Sequence, residues 1–287
     1  MAVLVASSAA LCGCGLDTDL RHAVVANQYV AEGTERLTTG DPRLIRSARW
    51  CFDRARELRP EDPQLARLLV TRYVIVGAPR EAAQIIADGL AGTVDSHLRA
   101  QATACLEGGQ QNETAFMRAV LADAPRDAEL LMQCGMSLFV SAAEPAVRDK
   151  AMVLLDRAVE LAPNDATILN NVGYTYADAG VRLTDALALV KRADMLSPNH
   201  GYIVDSVGWA YFRKGMLQEA LPHLQRAGRI SPDRPEIQYH LGKLYRQLGQ
   251  PHQAQRHLRA ALRLDPDYTE ARIELDLCLE LPRPVYG

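Results

Sequence analysis

Between residues 128 and 268 small, branched and polar positions return in the same order four times. Glycine stands early in each stretch, at Gly135, Gly173, Gly208 and Gly242, and alanine stands late, at Ala151, Ala186, Ala220 and Ala254. A branched aliphatic residue follows each alanine four places on (Leu155, Val190, Leu224, Leu258), and a further small one seven places on (Ala158, Ala193, Ala227, Ala261). Those spacings put the residues on one stripe of a helix. Proline, which cannot continue a helical hydrogen-bond ladder, closes the stretches: Pro125, Pro163, Pro198, Pro232 and Pro266 stand 38, 35, 34 and 34 residues apart. A period of that size means one supersecondary unit stacked on the next. The pattern predicts helix pairs. Glycine inside a helix costs about 1 kcal/mol against alanine, so its return at one helical position predicts a close approach of two helices, with the alanine as the other half of the contact. Tyr176, Tyr211 and Tyr245 are expected to fill the space between units, and Asp165 and Asp233 to cap the helices that follow them.

These stretches resemble the tetratricopeptide repeat. Residues 235–268 carry Leu241, Gly242, Tyr245, Gly249, Ala254, Leu258, Ala261 and Pro266 at that family's spacing, and residues 201–234 carry Val207, Gly208, Tyr211, Gly215, Ala220, Leu224, Ala227 and Pro232. Residues 166–200 match with one extra residue in the turn around Gly180, and 128–165 with four extra around Ala143 to Val147. Upstream the match thins. Residues 63–96 keep Leu69, Tyr73, Gly77, Ala82, Ile86 and Gly89 with Val94 in proline's place; 97–127 form a shortened unit ending at Pro125; 26–62 keep a second helix as Ala48, Phe52, Ala55 and Pro60. The resemblance implies an all-α fold, a right-handed α-solenoid of about seven helix-turn-helix units. Three are degenerate (26–127) and four well matched (128–268), and a helix over 269–281 is expected to cap the last apolar face.

Composition narrows the function classes. The 287 residues are 48% hydrophobic and 23% charged, an ordinary globular balance, and a net charge of -3 offers no global attraction to nucleic acid or anionic lipid. The N-terminus differs. Met1 to Leu16 carry no charge, a run too short to span a bilayer. Its end, Leu11-Cys12-Gly13-Cys14, resembles a bacterial lipobox. That resemblance implies a signal peptide over 1–13, a lipid on Cys14, and a tether over 14–25 that runs into the first helix. An apolar tail without lipid is the alternative.

In the repeat family the groove is lined by first-helix side chains. Carried over position by position, the resemblance implies a peptide-binding groove of Asn170, Asn171, Tyr174, Asp178, Tyr202, Asp205, Trp209, Phe212, Arg213, Tyr239, His240, Lys243 and Arg246, continued upstream by Met132, Met136 and Phe139. Asparagine amides can bond both N–H and C=O of an extended peptide, and Trp209, Phe212 and Tyr174 are residue types that anchor apolar side chains. The alternative is that the aromatics fill gaps between units. The family's carboxylate clamp is not reproduced, because Asp205 stands where a cation would serve. Cys51, Cys105, Cys134 and Cys278 read as buried thiols. His252 and His257, five apart, make a poor metal pair, and Arg256, Arg259 and Arg263 form a basic stripe that reads as a solvated face, with an acidic partner patch as the alternative. No cofactor, metal or catalytic motif is expected. The leading expectation is a non-catalytic scaffold that binds a protein or extended peptide, touches the membrane only through its lipid, and does not bind nucleic acid. It would face the periplasm in a bacterial envelope, preferably from the outer membrane, and assist assembly of a pilus, secretin or polysaccharide-export machine. Its rivals are a cytoplasmic regulatory or co-chaperone module and an accessory subunit of an enzyme such as a glycosyltransferase.

Overall fold

The computed structural model describes residues 18–38, 41–89, 94–122, 127–141 and 144–280. Cys14, the signal peptide expected over 1–13, Pro125 and the last residue of the cap range lie outside them. The described residues form helices joined by turns, and the chain divides into two compact units, residues 1–161 and 162–287.

The first unit holds α1 (Thr18–Thr38), α2 (Pro42–Leu58), α3 (Pro63–Ile75), α4 (Pro79–Ala87), α5 (Ser96–Glu107), α6 (Gln110–Ala122), α7 (Ala128–Ser141) and α8 (Pro145–Leu161). Their starts are legible in local chemistry. Asp41, Asp62 and Asp95 each turn a carboxylate onto the free N–H groups of the helix that follows, and Pro42 and Pro63 occupy first-turn positions where no N–H is needed. α1 pairs with α2, although the sequence match there rests on the second helix alone. The reason is Gly33: a Cβ at that position would stand 2.5 Å from Cε1 of the buried Phe52, so only glycine lets the two helices close. The same contact recurs at Gly135 against Leu155.

This unit departs from a linear pile in which each hairpin touches only its neighbours. α7, from the fourth hairpin, packs against α1, α2 and α3 from the first two. The Cys134 thiol lies 3.6 Å from the carbonyl of Leu37, 97 residues away, and Leu138 closes on Gly77. Around it, Glu113 of α6 is buried between Arg80 of α4 (2.8 Å) and Lys150 of α8 (2.6 Å). Burial raises the Glu113 carboxyl's pKa, but the two cations more than offset it and hold the group below the usual carboxylate range. Cys51, Cys105 and Cys134 are buried and free, and burial pushes their thiols up, Cys134 to about 12.

The second unit is regular. It contains α9 (Ala166–Ala179), α10 (Leu183–Leu196), α11 (Gly201–Arg213), α12 (Leu217–Ile230), α13 (Pro235–Gln247), α14 (Pro251–Leu264) and α15 (Thr269–Glu280). The predicted hairpin contact is present in each pair. Cβ atoms built on Gly173, Gly208 and Gly242 would stand 2.7, 2.6 and 2.5 Å from Val190, Leu224 and Leu258, with Ala186, Ala220 and Ala254 fully buried beside them. Tyr176 and Tyr245 are buried as expected; Tyr211 is half-buried, stacked on His223 with Lys191 over its ring. The extra residue after Gly180 is absorbed by a second left-handed position, Arg182 at φ 46°, whose guanidinium covers Tyr176 and pairs with Asp185.

One expectation needs correction here. Asp165 does cap α9, accepting from Thr167 and Ile168 N–H, but Asp233 does not cap α13. Pro235 takes the first helical position and puts Arg234 at the cap, one residue beyond the aspartate. α15 buries Ala271 and Cys278 against the last hairpin, yet it keeps Ile273 and Leu277 exposed, so its outer face remains partly apolar.

Candidate functional site

In the second unit the first helices α9, α11, α13 and α15 lie side by side in one row. Repeat geometry therefore brings residues about 35 apart in sequence into contact, and most of the sequence-predicted set meets in a single network. Its centre is Trp209. The indole is stacked between Phe212 (4.8 Å) and His240 (4.0 Å), and its Nε1–H donates to Asp178 Oδ1 at 3.1 Å. His240 Nδ1 is 2.7 Å from Asp205 Oδ2. Tyr239 packs obliquely on Trp209 and Tyr268. Tyr174 leans on His240.

The positions of these side chains correct the expectation of open aromatic anchors. Trp209 and His240 are each 2% exposed, and Asn170, Asp205, Phe212 and Tyr239 are also buried. Their neighbours on adjacent first helices cover them, because a row this close leaves room for one layer of rings. They fill the gaps between units, and Asp205 is spent on His240. Met132 and Phe139 of α7 are buried as well, beneath the helices that enclose it, and Met136 is half-buried. Asn170 Oδ1 and Asp205 Oδ1 are buried without a hydrogen-bond partner among the described residues.

What reaches the surface is a rim. Tyr202 is 42% exposed and stands edge-on to His200, apart from the network. Asn171 and Tyr174 are half-buried, and burial foremost, with Asp178 and Asp205 nearby, raises the Tyr174 hydroxyl above the ordinary range. Arg213 lies over the Trp209 ring and donates to the Asp178 main-chain carbonyl. Lys243 Nζ donates to the Tyr239 hydroxyl at 2.9 Å and sits over both the Tyr239 and Trp209 rings. Arg246 pairs with Glu274 of α15 at 2.6 Å, and Lys243 with the same carboxylate at 3.4 Å.

Glu274 and Tyr268 belong to this wall and were missed by sequence reasoning. A signal for Glu274 existed: it stands one 34-residue period after His240, on a helix in the first-helix register. Among the described residues no group of three His, Cys, Asp or Glu could hold a metal ion, and no helix is long and apolar enough to cross a membrane.

Residues 211–272 match the family model of the tetratricopeptide repeat. Residues 211–272 thus carry the tetratricopeptide repeat. Solved structures with a similar fold include a thermophilic TPR protein of Thermus thermophilus, with 21% identity and a TM-score of 0.48, covering 64% of this chain and 97% of that one. YrrB, a TPR protein with an unusual peptide-binding site, has 17% identity and a TM-score of 0.42 over 77% and 96% of the two chains. The first TPR of Spaghetti (RPAP3), bound to an HSP90 peptide, has 20% identity and a TM-score of 0.37 over 40% and 90%. No curated protein matches the chain. In the second unit the first-helix wall is a buried aromatic layer under a rim of Tyr, Arg and Lys.

Proposed function

We propose that the protein is a non-catalytic scaffold that holds a partner polypeptide on the first-helix wall of its second unit. The observation that carries this reading is the rim itself. Tyr174, Arg213 and Lys243 stand against a buried layer whose stacking and hydrogen bonds fix their positions in advance, and Glu274 holds Arg246, which lowers the ordering cost of binding; Tyr202 adds an exposed ring on the same helix as Trp209. Aromatic and arginine side chains are also the types that dominate interface energy. The arrangement suits a partner that offers carboxylates and backbone carbonyls to the cations and a flat apolar group to the tyrosines. Recovery of cross-linked partners by the intact chain, compared with Tyr202→Ala and Lys243→Glu, tests it: loss of the same partner from both variants is expected, and an unchanged partner set would refute the assignment.

The second half of the proposal is a lipid on Cys14 that tethers the scaffold to the periplasmic side of a bacterial envelope, where it assists assembly or secretion. Its support is the Leu11-Cys12-Gly13-Cys14 motif after an uncharged run. One acylated cysteine would leave the repeats in water and the attachment covalent. Radiolabelled fatty acid should enter the native protein and not Cys14→Ala. Equal labelling of both ends the tether.

A further inference from the structure

A cleft of about 510 Å³ lies on the other side of the second unit, between the second helices α12 and α14, with α13 as its floor. Arg229 projects from one wall, and Arg256 and Arg263 from the other, where Ala260 shares their stripe. No acidic residue lines it, and none of the three arginines has an ion-pair partner among the described residues. The floor is fixed. Gln238 Nε2 donates to the Pro232 carbonyl at 3.1 Å, which orients the amide so that its oxygen accepts from His257 Nδ1 at 2.8 Å. His257 in turn stacks on Tyr245 (5.4 Å, 13°), and burial foremost, with Arg256 beside it, keeps the imidazole's pKa below the ordinary histidine value.

Comparison with the preceding repeat shows why the cleft exists. One period earlier, Arg226 spans the corresponding gap, bonding Asn199 at 2.8 Å and pairing with Asp194 at 3.6 Å, and one period before that Arg192 reaches Asn164 at 2.8 Å. At the α12/α14 junction the same two positions are Ala260 and Gly228. The filling side chain and the carboxylate are lost together. Over the same step a cation appears where Met195 stood: Arg229 and Arg263 occupy its register in the two following repeats. Asp233, the counterpart of Asn199, is exposed and does not line the cleft.

We infer that this cleft is a second binding site, taking an acidic extended segment of a partner protein. Guanidinium groups pair with carboxylates in a planar fork, and three of them at one mouth without a counter-charge are relieved by an anion. The volume falls in the range of sites that enclose several groups at once, so a free inorganic anion would leave most of it empty. Leu241, Ala260 and Tyr245 supply the apolar wall that a peptide carrying both carboxylate and aliphatic side chains can use.

The test uses the full chain and a fluorescein-labelled peptide of alternating Glu and Leu, with an alternating Lys and Leu peptide as its opposite, followed by fluorescence anisotropy in low salt. The acidic peptide should bind saturably and the basic one should not. Arg256→Glu and Arg263→Glu should each weaken binding tenfold or more. Arg259→Glu makes the same charge change on an exposed position of α14 outside the cleft and should stay within twofold. Ala260→Trp fills the cleft without changing charge and should also cost tenfold or more, with circular dichroism confirming the fold; if that variant does not fold, the Arg256 and Arg259 pair decides. Absence of saturable binding, equal losses from Arg256→Glu and Arg259→Glu, full displacement by millimolar inorganic phosphate, or indifference of a folded Ala260→Trp would each overturn the inference. Tyr202→Ala, on the first-helix wall, should bind the peptide normally, so a failure of the wall assignment and a failure of the cleft give different results.

Discussion

The two units use one hairpin contact to opposite ends. In the second unit, four first helices stand in a row and each meets the next, so their outer rim stays at the surface within that unit. In the first, α7 is enclosed by α1, α2 and α3, and the residues that would have lined a groove there, Met132 and Phe139, are inside. The glycine contact is common to both, at Gly33 and Gly135 as at Gly208 and Gly242. What differs lies between the hairpins. The middle hairpins of the first unit carry no glycine at the contact position, and α4 has only 9 residues, so they do not prolong the regular row. The first unit turns back on itself and spends its wall on its own core. The second keeps its wall.

The largest effect that would break this comparison is expected at Glu113, whose carboxylate ties α6 to α4 and α8. Glu113→Ala leaves a largely buried ammonium at Lys150 without its partner and should cost about 3–5 kcal/mol, read as a lower urea midpoint and faster amide exchange in α3 to α8 only. Because the folded-state pKa of Glu113 is lowered, its contribution is complete above the unfolded value of about 4.3 and fades as pH falls through the folded one. Amide protection factors in the first unit should therefore fall on acidification below about pH 4, and in Glu113→Ala that component of the acid response should be missing.

A smaller effect sharpens the common element. Alanine normally gains about 1 kcal/mol over glycine inside a helix. At Gly33 and at Gly242 its Cβ would meet Phe52 and Leu258 at 2.5 Å, so both substitutions should instead destabilise by about 1–3 kcal/mol through overpacking. Thermal unfolding of the two variants should show similar losses. A neutral or stabilising Gly33→Ala would mean that the first hairpin is not built like the others. The smallest effect belongs to the turn with the extra residue. Arg182 holds a left-handed conformation, so Arg182→Gly relieves backbone strain of about 1 kcal/mol while giving up the Tyr176 and Asp185 contacts. A net change within about 0.5 kcal/mol, measured by urea denaturation, is expected.

These residues also show how much the sequence could tell. Helix pairs from residue 128 onward are legible because glycine, alanine and proline recur at fixed register, and each recurrence corresponds to a contact. Gly33 stands in the same register, but with Phe52 in place of a branched aliphatic partner only the second helix of that pair is legible. The meeting of Leu37 with Cys134 was not legible: it joins non-neighbouring hairpins, and no periodicity encodes such a contact. For the wall, register identified which residues gather and could not tell which would be covered. Trp209 and Tyr202 both stand on α11 among the first-helix positions, yet one is flanked by Phe212 and His240 and the other is not. The cleft between α12 and α14 became visible only when Ala260 and Gly228 were set against Arg226 and Asp194, because what creates it is the loss of a pair.

A scaffold role requires the second unit's wall to be the face that a partner meets. Its most direct test places the photo-reactive residue benzoylphenylalanine at one of two exposed first-helix positions, in place of Tyr202 in the second unit or in place of Val140 in the first, in cells that make the intact chain. Irradiation should yield a discrete adduct from position 202 and none from position 140. An adduct of equal strength from position 140, or none from position 202, would contradict it.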